Sequence, residues 1–339
     1  MGSQESESPF RWSVGVTAAT FAHLSNIKLD QFYLDPSACV EALRTGRKRV
    51  REIFGEEVTL PTISCPPVSY GHIACLGVKV LFPEDSEPGV RPIYTSINEG
   101  IEALRRGAVF EQNDLFKHYL KIYHRLQREF PDEKVVFGGF GWEGPITSAV
   151  LLRGQDFYMD LYDEPEKARE FLGLLTENII QFIHFIRKIN GEPPVSPYSS
   201  GLADDFSSLI HPDFWPDFVI PYWEQYYSGI TTGARTLHVE NLSPEHLKYL
   251  EMASISFYDP SISPKLTVRI IKERINIPFT WRFPGFSYLN MSREDIRQWV
   301  LQAVADGARD IHTIIESTTC EGDNPEKVRV FIETAKTVG

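Results

Sequence analysis

Arg235-Thr236-Leu237-His238-Val239-Glu240-Asn241 is a short extended run ending in a His-x-Glu pair. In a strand, residues two apart share a face, so His238 and Glu240 aim a ring nitrogen and a carboxylate at one point. Two ligands of a zinc ion must be aimed that way. Cys320, in Thr318-Thr319-Cys320-Glu321 near the C-terminus, is the candidate third ligand.

Short β-rich segments like this one recur along the chain. They lie at 12–17, 58–65, 134–140, 194–203, 235–240, 254–258, 278–283 and 310–316. The segments between them read as helices. Residues 101–106 and 114–130 carry spaced apolar residues among charges. Asp163-Glu164-Pro165-Glu166 supplies a capping acid and a proline for a first turn. The stripe that follows, Phe171, Leu174, Leu175, Ile179, Phe182, Ile183 and Ile186, is amphipathic at helical spacing. Ser292 with Asp295 predicts another helix start before Ile296.

Strands alternating with helices imply a mostly parallel sheet, hence an α/β fold. Eight units in 339 residues favour a closed (β/α)8 TIM barrel over an open doubly wound sheet. No repeat, low-complexity tract or Gly/Ser linker divides the chain, so residues 11–339 read as one domain after a flexible stretch at 1–10. Active sites of such barrels lie at the C-terminal ends of the strands. His238 and Glu240 end the fifth candidate strand and Cys320 follows the eighth, which places all three on one rim. The Pro- and Gly-rich segment 64–92 reads as a loop over the mouth.

A formal net charge of −12 argues against nucleic acid as the main partner. Hydrophobic content of 42% suffices for a large core. No apolar run has the length of a membrane span, and the start of the chain lacks the basic and apolar regions of a secretory signal. Met1-Gly2-Ser3-Gln4-Glu5-Ser6 matches the loose myristoylation pattern without basic neighbours, and reads as a frayed polar terminus. Cys39, Cys65, Cys75 and Cys320 have no disulfide-scaffold spacing, which points to a reducing cytoplasm.

Several further motifs carry candidate chemistry. Gly139-Phe-Gly141-Trp-Glu-Gly144 spells a dinucleotide fingerprint, but Pro145 opens the helix at once and Asp163 reads as a helix cap, not a ribose ligand. Asp204 and Asp205 follow the fourth candidate strand, where paired acids bind substrate, act as acid and base, or cap a helix. His72 in the mouth loop is a candidate substrate contact, whereas His246 reads as structural. Trp12, Phe140, Trp142, Trp281, Phe283 and Phe286 cluster towards the rim and suit a planar ligand. Arg282, inside an aromatic strand end, either pairs with a rim acid or binds an anionic group of the substrate. Glu316 competes with Cys320 as a metal ligand.

Other residues carry a family resemblance. Gly144-Pro145-Ile-Thr147, Leu152-Arg153-Gly154 and Asp160-Leu-Tyr-Asp-Glu-Pro165-Glu166 resemble the middle of uroporphyrinogen decarboxylase-like proteins. So do Asp204-Asp205, His211-Pro212-Asp-Phe214 with Pro221-Tyr222, and the segment from Cys320 to Lys336. The resemblance covers most of the chain from about Lys134 and implies the same (β/α)8 barrel. The superfamily holds true decarboxylases and zinc-dependent, corrinoid-linked methyltransferases. The decarboxylases carry an Arg-Gln-Ala-Gly-Arg-type signature near the N-terminus. Here the region reads Val16-Thr-Ala-Ala-Thr-Phe-Ala-His23, with no arginine between Arg11 and Arg44.

The methyltransferase branch, with a His-x-Cys motif and a distant Cys, is the better match. His238 and Cys320 take two of those places and Glu240 stands at the third. A carboxylate for a thiolate makes zinc a harder Lewis acid, suited to an ether oxygen. The resemblance thus implies transfer of a methyl group from a methoxylated, aromatic small molecule to a corrinoid (cobalamin) carried by a partner protein. Zn2+ would be held by His238, Glu240 and Cys320, with Asp204 and Asp205 placing substrate against Trp142, Trp281, Arg282 and His72. The alternatives are methyl transfer from the corrinoid to a thiol, decarboxylation, and a non-catalytic binding protein.

Overall fold

The computed structural model describes residues 9–338; the expected frayed terminus lies, apart from Pro9 and Phe10, outside them. Six of the eight expected segments form regular strands: β1 (Arg11–Val16), β2 (Ser199–Ala203), β3 (Ala234–His238), β4 (Phe257–Asp259), β5 (Trp281–Phe283) and β6 (Asp310–Ile315). They make two three-stranded sheets, ordered β1-β6-β5 and β2-β3-β4, and every pairing is parallel. An α/β architecture with parallel strands is therefore present.

The segments at 58–65 and 134–140 run beside the strands without laddering. Each contributes single parallel bridges, Val14–Val58, Ile63–Val135 and Val68–Phe140. The cause lies in their residues. Pro61 has no N–H to give a ladder, nor do Pro66 and Pro67 just beyond the first segment. Gly139 sits at φ +82, where a Cβ would lie 2.3 Å from the Cys65 carbonyl oxygen. The chain bends there and regular pairing stops. Between residue 140 and β2 the Gly144 N–H donates to the Ala203 carbonyl at 2.6 Å. Beyond β4 the pairing continues through the Tyr258–Phe279 bridge into β5.

Helices cover the outer faces. The helix Pro165–Ile189 starts with proline in its first turn, as its sequence predicts, although Glu164 at the N-cap makes no side-chain capping bond and Asp163 ends the preceding helix Asp156–Asp163. It buries Phe171, Leu172, Leu175, Ile179, Phe182, Ile183 and Ile186. Each such side chain is worth about 1.5–3 kcal/mol of burial. The helix Arg293–Ala305 has the expected capping box between Ser292 and Asp295. Two apolar clusters make the core, and Tyr70, Trp142, Phe279 and Trp281 pack against both. No helix among the described residues is long and apolar enough to cross a membrane.

Candidate active site

Strand alternation builds the site. Leu202, Leu237 and Tyr258 are buried on the helix side of β2, β3 and β4. Their neighbours Gly201, Ala203, Thr236, His238, Phe257 and Asp259 line, with Trp142, Leu202 and Leu237, a cavity of about 580 Å³. Glycine and alanine on β2 contribute almost no side-chain volume, which leaves that wall open. Trp142 is held in place by donating Nε1–H to the Tyr226 hydroxyl at 2.9 Å, and that hydroxyl donates to the Gly201 carbonyl at 2.9 Å.

His238 and Asp259 are register partners across β3 and β4, at the C-terminal ends of both strands. That register puts His238 Nδ1 2.8 Å from Asp259 Oδ2, which fixes the ring and leaves Nε2 free. Nε2 lies 3.8 Å from Asp205 Oδ1, an ion-pair distance rather than a hydrogen bond. Asp205 Oδ1 also accepts the Glu240 N–H at 2.9 Å. Asp259 Oδ1 accepts the Ser261 N–H at 2.8 Å. Burial opposes a charge on His238, but the hydrogen bond to Asp259 and the charges of Asp259, Asp205 and Glu240 outweigh it and raise its pKa. Burial likewise opposes ionisation of Asp259, and His238 with the Ser261 amide reverses that, so its pKa falls. Both directions describe an imidazolium–carboxylate pair.

The expected acid pair is split. Adjacent residues point apart, and Asp204 turns away from the cavity to end fully buried. Its carboxylate accepts Thr147 N–H at 2.7 Å, Ile146 N–H at 3.4 Å and Trp223 Nε1–H at 2.7 Å. It thus caps the helix Pro145–Arg153 from another strand. Burial pushes its pKa up to about 6, against the pull of those donors. Gly144 permits the approach, because a Cβ there would lie 2.5 Å from Asp204 Cβ. The glycines at 139–144 therefore serve a bend and this contact. The helix amides that a pyrophosphate would need are already bonded to Asp204.

The predicted metal ligands do not assemble. Among the described residues no three His, Cys, Asp or Glu side chains stand together as a metal-binding set. Cys320, in the turn Ser317–Cys320 after β6, donates its thiol to the Glu316 carbonyl at 3.7 Å. Burial, then the Glu321 charge, pushes that thiol up to about 11. The Glu316 carboxylate caps the same turn through the Thr319 N–H. His238, Glu240 and Cys320 are thus not brought together as one set among the described residues, and the turn after β6 satisfies its own polar groups.

The other expected contacts divide. Trp142 faces the cavity. His72 is buried, its Nε2 2.9 Å from Asn178 Oδ1 and its ring edge-on to Phe182, so it is a core residue and not a cavity wall. Burial pushes its pKa down to about 4. Trp281 packs between the two clusters outside the cavity lining, while Phe140 and Phe283 are core and Phe286 is exposed. His246 bonds Ser243 and the Ile210 carbonyl, the structural role expected of it. Arg282 donates Nη1–H to Ser261 Oγ at 2.9 Å and lies 3.7 Å from Glu316.

Four residues were not anticipated. Asp259 and Phe257 line the cavity, and the acid directly after the segment 254–258 was the signal for the first. Glu143, beside Trp142, feels the charges of Asp205, Asp204 and His238. Burial pushes its carboxyl up to about 7, partly offset by a hydrogen bond from Ser69. His312 on β6 has Nδ1 2.8 Å from Thr280 Oγ1 and senses Asp259, Arg282 and His238.

No curated protein matches the sequence. Among solved structures, a methyltransferase from Methanosarcina mazei superposes with a TM-score of 0.67 at 14% identity, over 98% of this chain and 94% of that one. At that identity the likeness concerns the fold. Residues 20–338 match the model of the uroporphyrinogen decarboxylase (URO-D) family, and the chain belongs to that family.

Proposed function

We propose that this chain is a methyltransferase of the corrinoid-linked type, taking a methyl group from a methoxylated aromatic substrate. In this reading residues 11–339 form one (β/α)8 barrel, with the bridged segments at 58–63 and 135–140 as its second and third staves. The observation that carries the reading is His238. Asp259 holds its Nδ1, so Nε2 is presented to the 580 Å³ cavity walled by Trp142 and Phe257. The fold likeness to a methyltransferase supports the class. So does the segment that holds arginines in decarboxylases: here Thr20, Phe21 and Ala22 are buried in the helix Ala18–Leu24.

Breaking the ether bond leaves an oxygen that needs a proton. The imidazolium of His238 donates it from Nε2, and Asp259 and Asp205 stabilise the charge until then. Trp142 and Phe257 flank the ring, and exclusion of water with alignment of the methyl carbon supplies the rest. A reduced corrinoid on a partner protein would supply the nucleophile that takes the methyl group. Among the described residues His238, Glu240 and Cys320 form no metal-binding set, and the proton transfer proposed for His238 needs none. A cytoplasmic location and a corrinoid-protein partner complete the proposal.

The product test separates this reading from decarboxylation. Purified protein, a reduced corrinoid and a panel of methoxyarenes should yield the demethylated phenol without release of carbon dioxide. Carbon dioxide from a carboxylated arene, with the methoxy group intact, would overturn the proposal.

A further inference from the structure

Two of the four non-glycine residues with positive φ among the described residues stand just past the strands that carry the imidazole and its acid. They are Asn241 (φ +63) after β3 and Ser261 (φ +43) after β4. Left-handed backbone is uncommon for serine and persists only where the surroundings over-determine it. Here the two turns are tied together. The Asn241 N–H donates to Ser263 Oγ at 2.8 Å, and the Ser263 hydroxyl donates to the Pro260 carbonyl at 2.7 Å. Ser261 and Ser263 are both buried.

Ser261 joins two partners that do not otherwise meet. Its N–H donates to Asp259 Oδ1 at 2.8 Å, while Asp259 Oδ2 lies 2.8 Å from His238 Nδ1. Its Oγ accepts Nη1–H of Arg282, on β5, at 2.9 Å. Arg282 is outside the cavity lining and 3.7 Å from Glu316 Oε1, and its Nε–H is buried without an acceptor among the described residues. Burying a guanidinium so costs free energy, and the hydrogen bond it does make goes to the turn beyond Asp259. That turn matters because the imidazole stands between two carboxylates. Asp205 Oδ1 lies 3.8 Å from Nε2, itself tied to the Glu240 N–H. Released from Asp259, a protonated ring would close that gap, and Nε2 would no longer be open to a substrate oxygen.

We propose that Arg282 is a positioning residue. Through Ser261 it locks the Asp259 carboxylate, which keeps His238 Nε2 turned to the cavity. The role in proton transfer rests on the reading of His238 as proton donor.

Proton NMR of protein with isotope-labelled histidine tests the lock without substrate or corrinoid. The His238 Nδ1–H, identified by its loss in His238→Gln, should give a downfield signal that exchanges slowly with water. Arg282→Met and Ser261→Ala should each speed that exchange about 10-fold, the worth of one hydrogen bond. The double variant should be no faster than either single one, because the two residues act as a unit. Ser261→Asn, which tolerates left-handed backbone and offers Arg282 an oxygen, should restore slow exchange. An arginine with only a structural role would lower the urea midpoint and leave this proton as in the wild type. Unchanged exchange in both single variants, or effects that add in the double variant, would overturn the proposal. If Arg282→Met does not fold, Ser261→Ala and Ser261→Asn decide. In turnover with a reduced corrinoid and a methoxyarene, each single variant should lower kcat about 10-fold with KM unchanged. An unchanged kcat would sink the positioning role. No turnover in the wild type, with the exchange results as expected, would sink the methyltransferase reading alone.

Discussion

Asp259→Asn removes the charge that holds His238 while keeping the shape of the side chain. The wild-type contact is a 2.8 Å hydrogen bond between two groups whose side chains are 33% and 29% exposed. A charge-assisted hydrogen bond contributes about 1.5–3 kcal/mol when well shielded. Solvent screens a pair one-third exposed, so the lower end applies. The His238 pKa, raised in the wild type, should therefore fall in the variant. An NMR titration of ring-labelled histidine, with the His238 signal identified by its loss in His238→Gln, reads this directly. The signs for stability follow from the same shifts. The raised His238 contributes fully below its ordinary 6.5 and loses its contribution as pH rises through the folded value. The lowered Asp259 contributes above its ordinary 3.8 and loses its contribution as pH falls through the folded value. The stability gap between wild type and Asp259→Asn should then be widest between those two values and narrow on either side. An unchanged His238 titration, or a stability gap flat from pH 4 to 9, would refute the pairing.

Asp204→Ala strands the Ile146, Thr147 and Trp223 donors in the core and should lower urea-unfolding stability by about 3–5 kcal/mol, whereas Asp204→Asn, which keeps an acceptor, should cost less. Gly144→Ala forces a Cβ to within 2.5 Å of Asp204 and should destabilise by about 1–3 kcal/mol in the same assay. Cys320→Ala should leave the metal content of the purified protein unchanged by elemental analysis, because the thiol bonds the Glu316 carbonyl and no metal-binding set among the described residues includes it.

Much of the architecture was legible because it rests on local periodicity. β1, β3 and β6 fall within a residue or two of their expected bounds, and the long helix follows its apolar stripe. The segments at 58–65 and 134–140 carry strand-like residues too, but Pro61 and the Gly138-Gly139 bend interrupt the ladder. Propensity sees the side chains there and misses the missing amide. The site was legible only in part, because its key contact is between strands. His238 was found from its own strand, yet its partner is set by the β3–β4 register, which places Asp259 opposite and Cys320 elsewhere. Asp204 and Asp205 look alike in sequence. One residue of alternation makes the first a helix cap and the second a neighbour of the imidazole. His72 looked like a loop residue, and only the packing of Phe182 and Asn178 around it reveals a core position.

Optical spectra of cob(I)alamin mixed with a methoxyarene bear most directly on whether His238 protonates the leaving oxygen during methyl transfer. Wild-type protein should convert it to methylcobalamin, with a rate that falls as pH rises through the His238 pKa and is abolished or strongly reduced in His238→Gln. Conversion at the same rate in His238→Gln, or no conversion with any methoxyarene that the wild-type protein binds, would rule out His238 as the proton donor in methyl transfer.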